Sequence, residues 1–285
     1  MRTTVFKAIA VSAFTVVAAI SAASAADMAP RYTKAPPPVV EVWTWDKIYV
    51  GLNGGYSWGR SNTSGAFYNN LNGLQLSPTQ SGTFNLDGWL FGGQVGKNWQ
   101  SGSWVFGLEG DAQWTNEKGR ALYTCVTPAL GGACNGITAG PGAGVSPTTT
   151  FNQEISWFAT FRPRAGYLVT PTALLYVTGG LAVAGIKTDG VISGFTGAQV
   201  PTSVAWGRDD TKAGWVIGAG LEAKLTGNWT GKIEGLYMDY GNVSGSPALT
   251  TSNPQLRFDY TSHITDVVVR AGVNYHFGGP VVAKY

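Results

Sequence analysis

From Trp104 to Trp114 the chain reads W-V-F-G-L-E-G-D-A-Q-W. A period-two reading places Trp104, Phe106, Leu108, Ala112 and Trp114 on one face and Glu109, Asp111 and Gln113 on the other. The apolar face begins and ends at tryptophan, and ten steps of ~3.3 Å tilted by ~40° climb roughly 25 Å, the height of a lipid-facing band between two aromatic girdles. No run after the N-terminus approaches the ~20 apolar residues of a helical span. If this chain crosses a membrane, it crosses as strands.

Seven further stretches alternate in the same way, so that the strands fall near 47–58, 83–99, 104–115, 153–169, 173–186, 212–225, 229–240 and 264–277. Links at 100–103, 170–172 and 226–228 are short, whereas those at 59–82, 116–152, 187–211 and 241–263 are long and rich in Gly, Ser, Thr, Asn and Pro. Strict alternation puts turns at one end of a sheet and loops at the other, as periplasmic turns and extracellular loops do in bacterial barrels. Aromatic residues follow the same division. Trp99, Trp104, Tyr167, Trp229, Tyr275 and Phe277 fall at the turn end, and Trp58, Trp114, Trp157, Trp215 and Tyr237 at the loop end. These are the expected girdles. The fold expected is all-β: an eight-stranded, antiparallel, up-and-down transmembrane barrel over 46–277, with a short C-terminal tail at 278–285.

The N-terminus supports export. Arg2 and Lys7 precede an apolar run from Ala8 to Ile20 and the small residues Ala23-Ser24-Ala25, the layout of a signal peptide over 1–25. Residues 26–45, with Pro30, Pro36, Pro37 and Pro38, read as an extended periplasmic lead-in. Without Arg2 and Lys7, 17 basic residues face 16 acidic ones, which removes the charge argument for a nucleic-acid partner. Only 12% of residues are charged, about half the share usual in globular enzymes.

Within strands, nearly all charge lies on the face opposite the lipid. Glu109, Asp111, Arg162, Arg164, Glu222, Lys224, Lys232, Glu234, Asp266 and Arg270 point inward on this map, five acids against five bases. In a narrow lumen they must pair, because an isolated buried charge costs several kcal/mol. Lys97 is the exception: it shares parity with Val95 and Trp99, so it either snorkels to the interface or marks a register error.

Candidate chemistry is sparse. Cys125 and Cys134 share one long loop, and in an oxidising compartment they are expected to form a disulfide that closes it. That loop holds no histidine to complete a metal site, and neither a metal nor a cofactor is expected. The two histidines, His263 and His276, sit near opposite membrane faces; His263 beside Ser262 and Asp266 is the one arrangement suggesting lipid-modifying chemistry, and the structural reading is preferred. An enzyme is not expected.

The opening W-T-W-D-K-I-Y-V-G-L-N-G-G-Y-S-W-G (Trp43 to Gly59) and the ending R-A-G-V-N-Y-H-F-G-G-P-V-V-A-K-Y (Arg270 to Tyr285) resemble the small immunogenic outer-membrane barrels of alphaproteobacteria, distant relatives of OmpA-type eight-stranded barrels. F-R-P-R-A-G-Y (Phe161 to Tyr167), L-L-Y-V-T-G-G-L-A (Leu174 to Ala182) and G-W-V-I-G-A-G-L-E (Gly214 to Glu222) match the same pattern. The resemblance implies an abundant, porin-like surface protein that supports envelope integrity, with heme binding described for some members; no binding residue is carried over. The partners expected are outer-membrane lipid and lipopolysaccharide, the barrel-insertion machinery, and peptidoglycan or extracellular ligands. The rival functions are a narrow channel and a loop-borne receptor.

Overall fold

Alternation of apolar and polar side chains over more than 20 residues fits only a long pleated strand, and β-structure dominates the result. The computed structural model describes residues 41–124, 148–195, 200–251, 255–278 and 281–282. Its strands are β1 (Glu41–Val42), β2 (Ile48–Asn69), β3 (Gln80–Ser101), β4 (Trp104–Thr124), β5 (Thr148–Thr170), β6 (Ala173–Phe195), β7 (Pro201–Thr226), β8 (Trp229–Gly245), β9 (Ala248–Leu249), β10 (Leu256–Phe277) and β11 (Val281–Val282). The described residues contain no helix.

Eight of these strands form the ring β2-β3-β4-β5-β6-β7-β8-β10, each antiparallel to its neighbours. It closes where β10 pairs with β2 from Leu256↔Asn69 to Phe277↔Ile48, which leaves no open edge within the bilayer band. The small strand β9 adds only to the upper end of β10, and β1 pairs with β11 apart from the ring.

The links β3–β4, β5–β6 and β7–β8 are two residues each. Gly102 (φ 59°) and Gly227 (φ 51°) supply the left-handed backbone that tight hairpins need. At the other end the strands run far beyond the expected positions: 59–69, 116–124, 187–195 and 201–211 are strand where long loops were expected. Antiparallel pairing continues past the lipid because backbone groups there still gain partners and the inward side chains still bury apolar surface.

The outer surface carries the expected belts. At the turn end Trp104 is paired in register with Tyr167, their rings 5.3 Å apart, and Trp229 with Tyr275 at 5.2 Å. At the loop end Trp114 stands opposite Trp157, and Trp215 lies 5.5 Å from Tyr237. Between the belts, Phe106, Leu108, Phe161, Val177, Leu181 and Ile233 are exposed outward, as a lipid contact requires.

Four layers fill the inside. At the turn end Trp45, Val105, Leu174 and Tyr176 cluster. A layer of charged side chains follows. Above it Leu86, Leu90, Phe158, Val216, Leu236, Met238, Ile264 and Val268 form an apolar layer. Beyond the outer belt Phe67, Tyr123, Phe151, Ile192, Phe258 and Tyr260 make a largely aromatic core.

Candidate functional site: the barrel interior

Inward positions on five strands converge on the charged layer. Arg162 of β5 is its hub: Nη2 lies 2.7 Å from Glu109 Oε1 and 2.9 Å from Asp111 Oδ2, and Nη1 lies 3.0 Å from Glu234 Oε1. Arg270 of β10 reaches Asp111 at 3.0 Å and Glu234 at 2.6 Å. Lys232 meets Glu109 at 2.8 Å, and Arg164 meets Glu222 at 3.0 Å. These eight side chains are at most 2% exposed. Four acids therefore balance four bases in a space that water does not screen, where each needs the others.

Uncharged groups complete the layer. Tyr49 Oη donates to Glu109 Oε2 at 2.7 Å, Tyr176 Oη to Glu234 Oε1 at 3.1 Å, and Thr160 Oγ1 to Asp111 Oδ2 at 2.6 Å. Around Glu222 stand Thr230 Oγ1 (2.6 Å), Asn274 Nδ2 (2.8 Å) and His276 Nε2 (3.2 Å). The Arg164 guanidinium lies 5.0 Å from the Tyr49 ring and 4.9 Å from that of Tyr176, a cation–π arrangement on two sides. Parity alone could have placed Tyr49, Tyr176 and Asn274 here, since each is inward on its strand.

Two of the ten charges expected in the layer stand elsewhere. Asp266 lies higher, where Ser57 Oγ donates to its Oδ1 at 2.6 Å. Lys224 lies lower, its Nζ 4.9 Å from the Trp43 ring at the turn end. Height along the strand, which alternation does not report, separates them from the rest. Glu117, by contrast, falls in a segment expected to be loop. It is fully buried, it accepts from Thr115 Oγ1 at 3.0 Å, and its Oε2 approaches Gly59, the register partner of Asp266.

The turn end is filled by the chain's own lead-in. Trp45 is fully buried, with its backbone N–H on Gln100 Oε1 at 2.8 Å and its indole N–H on Pro171 O at 3.3 Å. His276 packs beneath Trp43, Trp45 and Tyr49 with ring centroids 5.2 to 5.8 Å away. Lys97 resolves as the snorkelling case: Nζ pairs with Asp46 Oδ1 at 2.8 Å at the rim.

Ser262 and His263 face opposite sides of β10. Ser262 is buried against Thr63 Oγ1 at 2.7 Å, while His263 is outside, 3.1 Å from Asn242 Oδ1. Strand alternation keeps them from acting as a nucleophile–base pair. Cys125 and Cys134 lie outside the described residues, as do residues 1–40, where the signal peptide is expected.

A closed antiparallel ring, belted in aromatics and apolar on its outer face, is the build of an integral protein of the bacterial outer membrane. The chain belongs to the outer membrane protein beta-barrel domain family, whose model matches residues 12–277. It is 30% identical over 259 residues to the 31 kDa outer-membrane immunogenic protein of Brucella melitensis biotype 1, covering 90% of this chain and 94% of that one. It is 29% identical to the 22 kDa outer membrane protein of Rhizobium leguminosarum bv. viciae, over 71% and 68% of the two chains. Among solved structures, the outer membrane protease OmpT from Escherichia coli aligns over 82% of this chain and 98% of its own at 11% identity and a TM-score of 0.43. The protein is an outer-membrane β-barrel whose relatives include outer-membrane immunogenic proteins.

Proposed function

We propose that this protein is a non-conducting structural barrel that supports envelope integrity and presents its long strand ends at the cell surface. The observation that carries the reading is the balanced network of Glu109, Asp111, Glu222 and Glu234 with Arg162, Arg164, Lys232 and Arg270, which joins five strands across the lumen. Eight strands leave an interior just wide enough for side chains, and here those side chains are mutually paired rather than lining a path. Apolar layers above and below add no route for ions. The relatives' names speak of immunogenic membrane proteins, which favours a role without catalysis.

Lipid and lipopolysaccharide are its immediate partners through the two belts. The insertion machinery would meet β10, which alternates down to Phe277; Tyr285, the other candidate terminal aromatic, lies outside the described residues.

Planar-bilayer recording of the refolded monomer tests the closed lumen. No stable open level is expected from the native chain; a reproducible channel whose conductance changes in Arg162→Gln or Arg164→Gln would establish the narrow-pore alternative instead. Deletion of the gene should raise sensitivity to detergents and large antibiotics if the barrel supports the envelope.

A further inference from the structure

Of the buried acids among the described residues, only Glu117 and Asp266 stand outside the charged layer. They are 0% and 1% exposed, and no described ion pair reaches either. Strand register brings them together just above the outer belt. Asp266 of β10 stands opposite Gly59 of β2, one residue beyond Trp58. Glu117 of β4 reaches the same place across β3: its Oε2 lies 3.5 Å from where a Cβ on Gly59 would stand. Glycine at 88 permits this approach, since a Cβ there would meet the Glu117 backbone nitrogen at 2.5 Å. Ser57, the next inward residue of β2, joins the two acids. Its Oγ donates to Asp266 Oδ1 at 2.6 Å and also stands beside Glu117.

Each carboxyl has one oxygen satisfied and one not. Glu117 Oε1 accepts from Thr115 Oγ1 at 3.0 Å, whereas Glu117 Oε2 and Asp266 Oδ2 have no hydrogen-bond partner among the described residues. The surroundings offer no counter-charge. Leu86, Leu90, Ile264 and Val268 make this level apolar. Arg60 of β2 and Asp87 of β3 are exposed on the outer face, and Lys118 of β4 is outside as well, 3.4 Å from Glu154 of β5. Tyr240 of β8 is buried, and its hydroxyl donates to Met238 Sδ at 3.3 Å. In the layer below, Asp111 and Arg270 are taken up by each other at 3.0 Å.

Two ionised carboxylates at this level would repel each other with no cation to offset them, and a proton on one removes that cost. The donors decide which one carries it. Asp266 receives a short hydroxyl hydrogen bond from Ser57, the kind that favours an ionised acceptor, while Glu117 receives only the longer one from Thr115. As a carboxylic acid Glu117 gains a donor, and Ser57 Oγ has lone pairs to accept it. We propose that Glu117 keeps a proton at neutral pH and donates it to Ser57 Oγ, completing a Glu117–Ser57–Asp266 bridge that ties β4 across β3 to β2 and β10. The bridge is an acid-tightened clamp on the outer part of the barrel. A proton held in the folded barrel and released in the unfolded chain stabilises fully below the ordinary glutamate pKa of about 4.3, and its contribution fades as pH rises above that.

Infrared spectra of the full barrel, refolded in micelles in heavy water, test the proton directly. A protonated-carboxyl stretch is expected at neutral pH, and it should vanish in Glu117→Gln while persisting in the surface variant Glu154→Gln. Urea midpoints between about pH 5 and about pH 9 test the clamp. The native chain should lose stability relative to Glu117→Gln as pH rises, because the glutamine amide donates to Ser57 at every pH. In a Ser57→Ala background that advantage of Glu117→Gln should disappear. Asp266→Asn removes the facing charge and should retain the infrared band to higher pH, which carries the test if Glu117→Gln does not fold. Absence of the band from the native chain at neutral pH, its survival in Glu117→Gln, or parallel pH profiles of the two proteins overturns the proposal. So does a native barrel without the band that gains stability from calcium and loses it to a chelator, which would put a cation between the two carboxylates.

Discussion

Arg162 Nη1 and Glu234 Oε1 lie 3.0 Å apart, although 72 residues separate them in the chain and β6 and β7 intervene in the ring. Both are fully buried, so neither charge can turn to water when the other is removed. Arg162→Met should cost about 3–5 kcal/mol, because Glu109, Asp111 and Glu234 then share too few cations. Adding Glu234→Gln restores the charge balance and should recover part of the loss. Urea unfolding of the four proteins in micelles gives the coupling; strictly additive losses would show that the two residues do not act as a unit.

The rim pair Lys97–Asp46 offers the opposite case. Its atoms approach as closely, 2.8 Å, but the side chains are 35% and 50% exposed. Solvent screens such pairs, and Asp46→Asn should cost no more than about 1 kcal/mol, vanishing in molar salt. The comparison separates the effect of distance from that of burial. A loss as large as that of Arg162→Met would mean that Asp46 anchors the lead-in by something other than this ion pair.

Much of the barrel is legible in the sequence because lipid imposes a strict rule: between the belts every outward residue must be apolar or aromatic. Trp104 and Trp114, Trp157 and Tyr167 report strand length and parity at once. Above the outer belt the rule lapses. The outward face turns polar, Ser, Thr, Asn and Gly enter on both faces, and strand resembles loop in composition. One signal remained available: from Leu256 to Ile264 the residues Leu256, Phe258, Tyr260, Ser262 and Ile264 alternate with Arg257, Asp259, Thr261 and His263. Those five are the inward, buried set. Likewise, parity sorts charges to the interior but not by height, so it groups Asp266 and Lys224 with a layer that neither one joins.

The upper aromatic core should behave as a true core despite lying outside the bilayer. Phe258 is fully buried, 5.0 Å from Phe67 and 5.3 Å from Tyr123. Phe258→Ala removes a whole ring from this packing and should cost about 3–5 kcal/mol. The charged layer lies several residues below along the strands, so the loss should be local. Limited proteolysis of the variant in vesicles should clip the exposed strand ends while the belted segment stays protected. Digestion indistinguishable from the native chain would mean that the upper strands are held by backbone pairing alone.

Alkaline pH should loosen the same region first. Burial pushes the Tyr123 and Tyr260 phenols above their ordinary range, the first also donating from Oη to Thr63 O at 3.4 Å. A phenol whose folded-state pKa is raised holds its proton more tightly in the folded barrel than in the unfolded chain. Its contribution is therefore complete below the ordinary tyrosine pKa of about 10 and is lost as pH rises from there through the raised folded-state value. Nothing of this effect appears at neutral pH. Protease clipping of the upper strands should increase across that alkaline window, and Tyr123→Phe, which cannot ionise, should shift the onset upward. An onset that stays in place in Tyr123→Phe and in the double variant with Tyr260→Phe would assign alkaline loosening to other groups.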